Sequence, residues 1–293
     1  MDKNILVFGA NGLVGRSVKS LVESKYNFYG TFHKRKEEDL FQVDITSKED
    51  LTYAFKKTKP DIVINCSNLA GGVNFCEKEP KLAENFHLIS NQIIGKLCKE
   101  NDSRMVMIST DYVFDGKNPP YSEDDEKNPL NTYGRLKLEA EKWISQNVKM
   151  YTIVRTTNVF GWDPKTVTPN YMMQLYRTLN EGKTFNAPSF LWGNPTYVDD
   201  LAASIIELCE KEKNDIFHVV GSSFINRFDW AVKAAEILGL NKDLIQKINH
   251  VPENIVPRPL KSHLSTEKFE KCCTTKLHNV DESLELFVKK MNS

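Results

Sequence analysis

The chain predicts an α/β fold, a doubly wound parallel sheet with a smaller, discontinuous C-terminal lobe. Three observations carry this. An apolar run at residues 5–8 passes directly into a glycine-punctuated turn, Gly9-Ala10-Asn11-Gly12-Leu13-Val14-Gly15, and then into a helix-period segment. Apolar runs and helix-period segments go on alternating through the first half, the pattern of parallel strands joined by crossover helices. Beyond Arg155, Pro164, Pro169, Pro188 and Pro195 cut the chain into short pieces, as expected of excursions beyond a sheet.

In order, strands are expected at 5–8, 28–32, 62–66, 105–108 and 152–154. Helices with one apolar stripe and a charged outer face are expected at 14–24, 48–57, 80–99 and 133–146. Residues 197–209 read as a further helix and 216–220 as a late strand returning to the main sheet, followed by helices at 227–238 and 281–291. A dinucleotide-binding domain at 1–160, with a return segment near 197–221, and a substrate lobe mainly at 161–293 follow from this pattern. No internal repeat or low-complexity tract interrupts it.

With 293 residues, 40% hydrophobic and 27% charged, the chain can bury a full α/β core and an appended lobe. Lys+Arg and Asp+Glu both total 39, so no overall field points to nucleic acid or to membranes as partners. The first strand starts almost at once and no apolar stretch is long enough for a bilayer, so a cytoplasmic protein without a leader is expected. The cysteines Cys66, Cys76, Cys98, Cys209, Cys272 and Cys273 lack paired metal-ligand spacing; reduced thiols and no metal site are expected.

Backbone can approach a pyrophosphate only where side chains are absent, and a helix N-terminus adds oriented N–H donors. The opening turn therefore points to a dinucleotide held by Gly9, Asn11, Gly12, Leu13, Val14 and Gly15. The second strand ends in Thr31-Phe32-His33-Lys34-Arg35-Lys36, with no acidic residue before Glu37. A ribose 2′-OH is usually held by a carboxylate at this place, whereas basic residues suit a 2′-phosphate. Arg35, whose fork donates in pairs, with His33 and Lys34 as helpers, thus favours NADPH over a merely solvated basic turn. Asp44 and Ile45 are expected at the adenine, with a turn or cap role for Asp44 as the alternative.

Thr110 falls at a strand end, and Tyr133 and Lys137 lie four apart on one helix face. A neighbouring ammonium stabilises phenolate and lowers its pKa, which makes Tyr133 a usable proton donor and acceptor. The spacing alone also arises by accident on surfaces; its company here is what gives it weight.

The blocks Ser109-Thr110-Asp111-Tyr112-Val113-Phe114-Asp115-Gly116, Pro129-Leu130-Asn131-Thr132-Tyr133-Gly134, Asn194-Pro195-Thr196-Tyr197-Val198-Asp199-Asp200-Leu201 and Arg258-Pro259 resemble the extended short-chain dehydrogenase/reductases. Within that Rossmann-fold family they are similar to the nucleotide-sugar branch typified by dTDP-4-dehydrorhamnose reductase. The resemblance implies Thr110, Tyr133 and Lys137 as catalytic set, the last two also touching the cofactor. It implies hydride transfer to C4 of a nucleotide-linked 4-keto-6-deoxyhexose, and a homodimer. It further implies substrate contacts at Asn74, Asp111, Tyr112, Val113, Asn158, Trp192 and Arg258, with Arg258 on the diphosphate.

Gly71-Gly72-Val73-Asn74-Phe75-Cys76-Glu77 and Gly182-Lys183-Thr184-Phe185-Asn186-Ala187-Pro188-Ser189 resemble blocks of bifunctional 3,5-epimerase/4-reductases that make UDP-L-rhamnose. That implies epimerisation by Cys76 with Lys183, because a C4 ketone acidifies the protons on C3 and C5. A buried packing role for Cys76 and a solvated turn role for Lys183 are the alternatives. Either a monofunctional 4-reductase or a non-catalytic regulatory subunit of the same fold is the competing reading of the whole chain.

Overall fold

The computed structural model describes residues 3–166 and 168–293. Its centre is a seven-stranded sheet, parallel throughout. The strands are β1 (Asn4–Phe8), β2 (Asn27–Phe32), β3 (Leu40–Gln42), β4 (Ile62–Asn65), β5 (Arg104–Thr110), β6 (Tyr151–Thr156) and the late strand Asp215–His218. Their spatial order is Asp215–His218, β6, β5, β4, β1, β2, β3. The winding reverses between β1 and β4, and the crevice beyond the carboxyl ends of strands at such a reversal is where α/β sheets bind ligands.

Strand side chains alternate between the two faces. Ile5 and Val7 join a core cluster with Val18, Val22, Leu201 and Ile205, under helices α1 (Leu13–Val22) and Val198–Glu210. Leu6 and Phe8 join the opposite cluster, with Leu51, Ala54, Phe55, Ile94, Leu136, Ala140 and Ile144. That face carries α2 (Lys48–Thr58), α3 (Gly72–Lys78), α4 (Pro80–Glu84), α5 (Ser90–Glu100) and α6 (Thr132–Asn147). Each such fully buried aliphatic or aromatic side chain contributes about 1.5–3 kcal/mol, which is why apolar runs so short can commit to strands.

Two differences from the expected elements matter for the site. The helix expected at 80–99 is three pieces, α4, a π-helical turn Asn85–Ile89 and α5; a 3.6-residue period does not reveal one inserted residue. The stretch from Pro164 to Pro195, expected as fragments, contains helix α7 (Tyr171–Asn180). Pro169 precedes that helix rather than interrupting it, and Asn170 caps it by accepting from the Met173 N–H at 3.2 Å.

The lobe rests on short pairings. Trp192–Gly193 runs antiparallel to Ile225–Asn226 and parallel to Lys261–Ser262. Phe185–Pro188 runs parallel to Ile245–Ile248. Its core gathers Phe160, Met172, Leu175 and Trp230 with Leu284 and Phe287 from the C-terminal helix Val280–Met291.

Candidate active site

The glycine turn builds a cradle. A Cβ at Gly15 would sit 2.3 Å from the Gly9 carbonyl oxygen, so only glycine lets α1 start this close to the end of β1. A Cβ at Gly12 would meet just that oxygen, at 3.3 Å, with open space beyond. Gly12 is also the N-cap of α1, with no side-chain cap and no acidic residue in the first turn. The first-turn N–H groups, which include those of Leu13, Val14 and Gly15, therefore have no helical partner and suit a pyrophosphate.

Asn11 Nδ2 donates to the Arg35 carbonyl at 2.9 Å and ties this cradle to the basic turn after β2. The Arg35 guanidinium donates to the Lys165 carbonyl and lies 3.9 Å from Glu37. Arg16, directly after Gly15, grips Glu37 through both its terminal nitrogens at 2.5 and 2.6 Å. His33 faces Asp44 at 3.6 Å, and Lys34 is exposed. Asp44 accepts from the Thr46 N–H at 2.9 Å and from its hydroxyl at 2.7 Å, a turn arrangement, while Ile45 packs in the core beside Val43 and Leu51.

At the end of β5 the Thr110 hydroxyl accepts from the Tyr112 N–H at 3.2 Å and donates to Asp111 Oδ1 at 3.0 Å. Tyr133 enters on the first turn of α6, whose N-cap Asn131 accepts from the Gly134 N–H at 2.9 Å. A Cβ at Gly134 would lie 2.2 Å from the Tyr112 carbonyl oxygen, so the helix docks on the strand end only because that side chain is missing. Lys137, one turn on, donates from Nζ to the Ile108 carbonyl at 2.9 Å and stands 6.0 Å from the Tyr133 ring centre. Burial pushes the Lys137 ammonium down to about 8, against the pull of Glu141 and Cys76. Burial likewise lifts the Tyr133 phenol, and the neighbouring Thr110 hydroxyl opposes it. Strand end and helix face thus converge on one phenol.

Cys76, on α3, is wholly buried in the same cluster as Leu88 and Leu136. Burial and then Glu77 raise its thiol, and Lys137 lowers it, so the sulfur belongs electrostatically to the Tyr133–Lys137 pocket. Glu77 itself accepts from the Thr132 N–H at 2.6 Å and from its hydroxyl at 2.9 Å, which joins α3 to the start of α6.

Arg258 Nη2 donates to Asn74 Oδ1 at 2.9 Å. Arg227 Nη2 donates to Asn158 Oδ1 at 3.0 Å. Tyr112, whose phenol is raised by burial and then by Asp111, is drawn back by the charges of Arg258 and Arg227, while the Arg227 guanidinium itself lies over the Tyr171 ring, 5.0 Å from its centre. Asp111 is buried, its carboxyl raised by burial and opposed by the hydroxyls of Ser262, Thr157 and Thr110. Trp192 stands against Phe224 with ring centres 5.4 Å apart, and Val113 packs with Phe114, Tyr121 and Leu138. Asn74, Asp111, Tyr112, Asn158 and Arg258 are thus brought to one region. Lys183 is not joined to it by any contact among the described residues: its exposed ammonium pairs with Glu181 at 2.6 Å in the turn after α7.

Sequence reasoning missed Arg16, Glu37, Arg227 and His87. Arg16 carries a signal, a basic residue directly after the third glycine, and Glu37 is legible only as the first acid after the turn. Arg227 and His87 had none, since nothing local links residue 227 to 158 or residue 87 to 133.

A family model described as the RmlD substrate binding domain matches residues 3–293. The dTDP-4-dehydrorhamnose reductase of Salmonella typhimurium is 30% identical over 281 residues, spanning 92% of this chain and 91% of that protein. Methionine adenosyltransferase 2 subunit beta of Xenopus tropicalis is 26% identical over 276 residues, 92% of this chain and 82% of that protein. Among solved structures, a dTDP-4-dehydrorhamnose reductase from Bacillus anthracis in complex with NADP superposes with a TM-score of 0.89 at 24% identity, over 99% of this chain and 100% of that one. A hypothetical dTDP-4-dehydrorhamnose reductase from Sulfolobus tokodaii reaches 0.84 at 30% identity, over 95% and 98%. The cradle at β1, the Thr110, Tyr133 and Lys137 cluster and these matches agree: the chain belongs to the RmlD substrate binding domain family, as a homologue of the dTDP-4-dehydrorhamnose reductases.

Proposed function

We propose that the chain is an NADPH-dependent reductase of a nucleotide-linked 4-keto-6-deoxyhexose. The observation that carries this is the convergence of Thr110, Tyr133 and Lys137 at the end of β5, with only β4 between that strand and the one that leads into the glycine cradle. A bound nicotinamide supplies hydride to the ketone carbon. Tyr133 gives its proton to the ketone oxygen, Thr110 holds that oxygen from the strand end, and the Lys137 ammonium favours the phenolate left behind. Arg258 and Arg227, whose charges both act on Tyr112, suit a diphosphate, which an arginine fork recognises in pairs. Arg16 and Arg35 suit the 2′-phosphate, with Glu37 as the carboxylate it displaces. Loss of NADPH absorbance with a 4-keto-6-deoxy sugar nucleotide tests the reading; no oxidation with either a UDP- or a dTDP-linked ketone would sink it.

The finer reading adds 3,5-epimerisation before reduction and a UDP-linked substrate, giving UDP-L-rhamnose. The charge coupling of Cys76 to Tyr133 and Lys137 supports it, while its complete burial and raised thiol suit the packing alternative. Lys183 would have to leave Glu181 to reach the sugar, so the monofunctional reductase is the reading to beat. Turnover of the D-configured ketone in deuterated water should label C3 and C5, and Cys76→Ala should abolish that label while sparing reduction of an already epimerised substrate. Product without label removes the epimerase.

The subunit-beta relatives favour a second reading, a regulatory partner without catalysis. The assembled Thr110, Tyr133 and Lys137 cluster counts against it, because binding alone has no use for a buried ammonium beside a phenol.

A further inference from the structure

His87 has no part in the chemistry above, yet its surroundings are unusual for a packing residue. It occupies the middle of the π-helical turn Asn85–Ile89 and is 1% exposed. Its ring meets the Tyr133 ring edge-on, centres 5.1 Å apart at 80°. Its Nε2 is buried without a hydrogen-bond partner. A π turn holds one residue more than an α turn and is frequently found at functional sites. Here it sets His87 against α6, on the ring that donates the proton. Burying an unpaired nitrogen is unfavourable, and phenylalanine would fill the same ring-shaped space without it.

Charge gives the nitrogen a role. Burial, and after it the Lys137 ammonium, hold the imidazole down at about 2, so the ring is neutral at any working pH. The other groups that act on Tyr133 and Lys137 are Glu141 on α6, Cys76 on α3, the Thr110 hydroxyl at the end of β5, and Asp111 and Tyr112 after it. With its proton on Nδ1, the neutral His87 ring keeps a lone pair on the unpartnered Nε2 without taking a charge.

We propose that His87 is a positioning residue for the Tyr133–Lys137 pair: a neutral ring that braces the edge of the phenol and offers its Nε2 dipole to the Lys137 ammonium. The dipole favours the ammonium over the free amine, and so keeps Lys137 charged over the range in which Tyr133 must give up its proton. The kinetic part of the test rests on the reductase reading; the spectroscopic part does not.

The first measurement is ¹⁵N NMR of the full, ligand-free chain labelled at histidine. The His87 signal should stay that of a neutral ring through the ordinary histidine range near pH ~6.5. It should then shift with a midpoint of about 8 as Lys137 loses its proton, and Lys137→Met should remove that shift. Protonation of His87 near pH ~6.5, or a signal indifferent to Lys137, overturns the proposal. The second measurement is turnover by His87→Phe and His87→Gln. His87→Phe should keep its KM for NADPH, lose about tenfold in kcat and move the alkaline limb of its pH profile downward, with His87→Gln partly restoring both. A folded His87→Phe with the parent's kcat and pH profile also overturns it, because ring shape would then suffice. If the parent protein reduces no ketone, or if His87→Phe fails to fold, the NMR result decides alone.

Discussion

Every strand of the central sheet is parallel to its neighbours, whereas the lobe depends on two-residue strands such as Trp192–Gly193, which pairs with Ile225–Asn226 on one side and Lys261–Ser262 on the other. The two regions make their sites in correspondingly different ways. The cofactor cradle is one continuous stretch, strand to turn to helix, and its chemistry lies in residues adjacent in sequence. The proposed substrate side draws Asn74, Tyr112, Asn158, Arg227 and Arg258 from five separate segments. Continuity makes a site legible and rigid; assembly from distant segments leaves its specificity open to small shifts in packing.

The largest expected effect tests whether the two halves act on one reaction. Tyr133→Phe should lower ketone reduction by about 10²–10⁴-fold while NADPH still binds, read by turnover and by titration of the nucleotide. Loss of binding together with turnover would mean that the tyrosine belongs to the cradle rather than to the chemistry. Next comes the sheet side. Glu141 and Arg155 form a buried pair at 2.8 Å, each 1% exposed, and Glu141 also receives the Ser109 hydroxyl. Glu141→Gln should destabilise the fold by about 3–5 kcal/mol in denaturant, because it strands the guanidinium. Trp230→Ala, in the lobe core, should cost about 3–5 kcal/mol as well; two transitions instead of one would show that lobe and sheet unfold separately.

Smaller effects separate the two ligand ends. Arg227→Ala should raise the KM for the sugar nucleotide by about ten- to a hundredfold and leave that for NADPH alone, as expected for loss of a charge-assisted contact. Equal changes in both constants would place Arg227 outside the substrate end. The smallest concerns pH. Lys137 is depressed to about 8, so it is an ammonium below that value and an amine above it. Since the ammonium is the form that favours phenolate, the rate should fall as pH rises through about 8, and a flat profile to pH ~10 would remove Lys137 from the proton path.

Much of this was open to reading in the sequence, for a physical reason. Apolar alternation follows strand and helix periods, and the third glycine after a strand reports a close approach that the 2.3 Å gap at Gly15 makes concrete. The spacing of Tyr133 and Lys137 is a helix turn, so their proximity was implied before any fold. The prolines of the lobe misled because a proline can open a helix as readily as end one, and α7 lies between two of them. The π turn was hidden because one inserted residue leaves the apolar stripe almost unchanged.

What the sequence determined by itself is therefore the local and periodic part: most of the sheet's helices and strands, the glycine turn between β1 and α1, and the tyrosine–lysine face. Tertiary structure alone decided that Arg16 holds Glu37, that Arg227 reaches Asn158 and Arg258 reaches Asn74, that Lys183 pairs with Glu181 instead of joining Cys76, and that His87 leans on the phenol. Contacts of the first kind are set by bonds a few residues apart. Apart from the local Lys183–Glu181 pair, those of the second close loops of tens to more than a hundred residues, and they exist only because burial of the core brings those segments together.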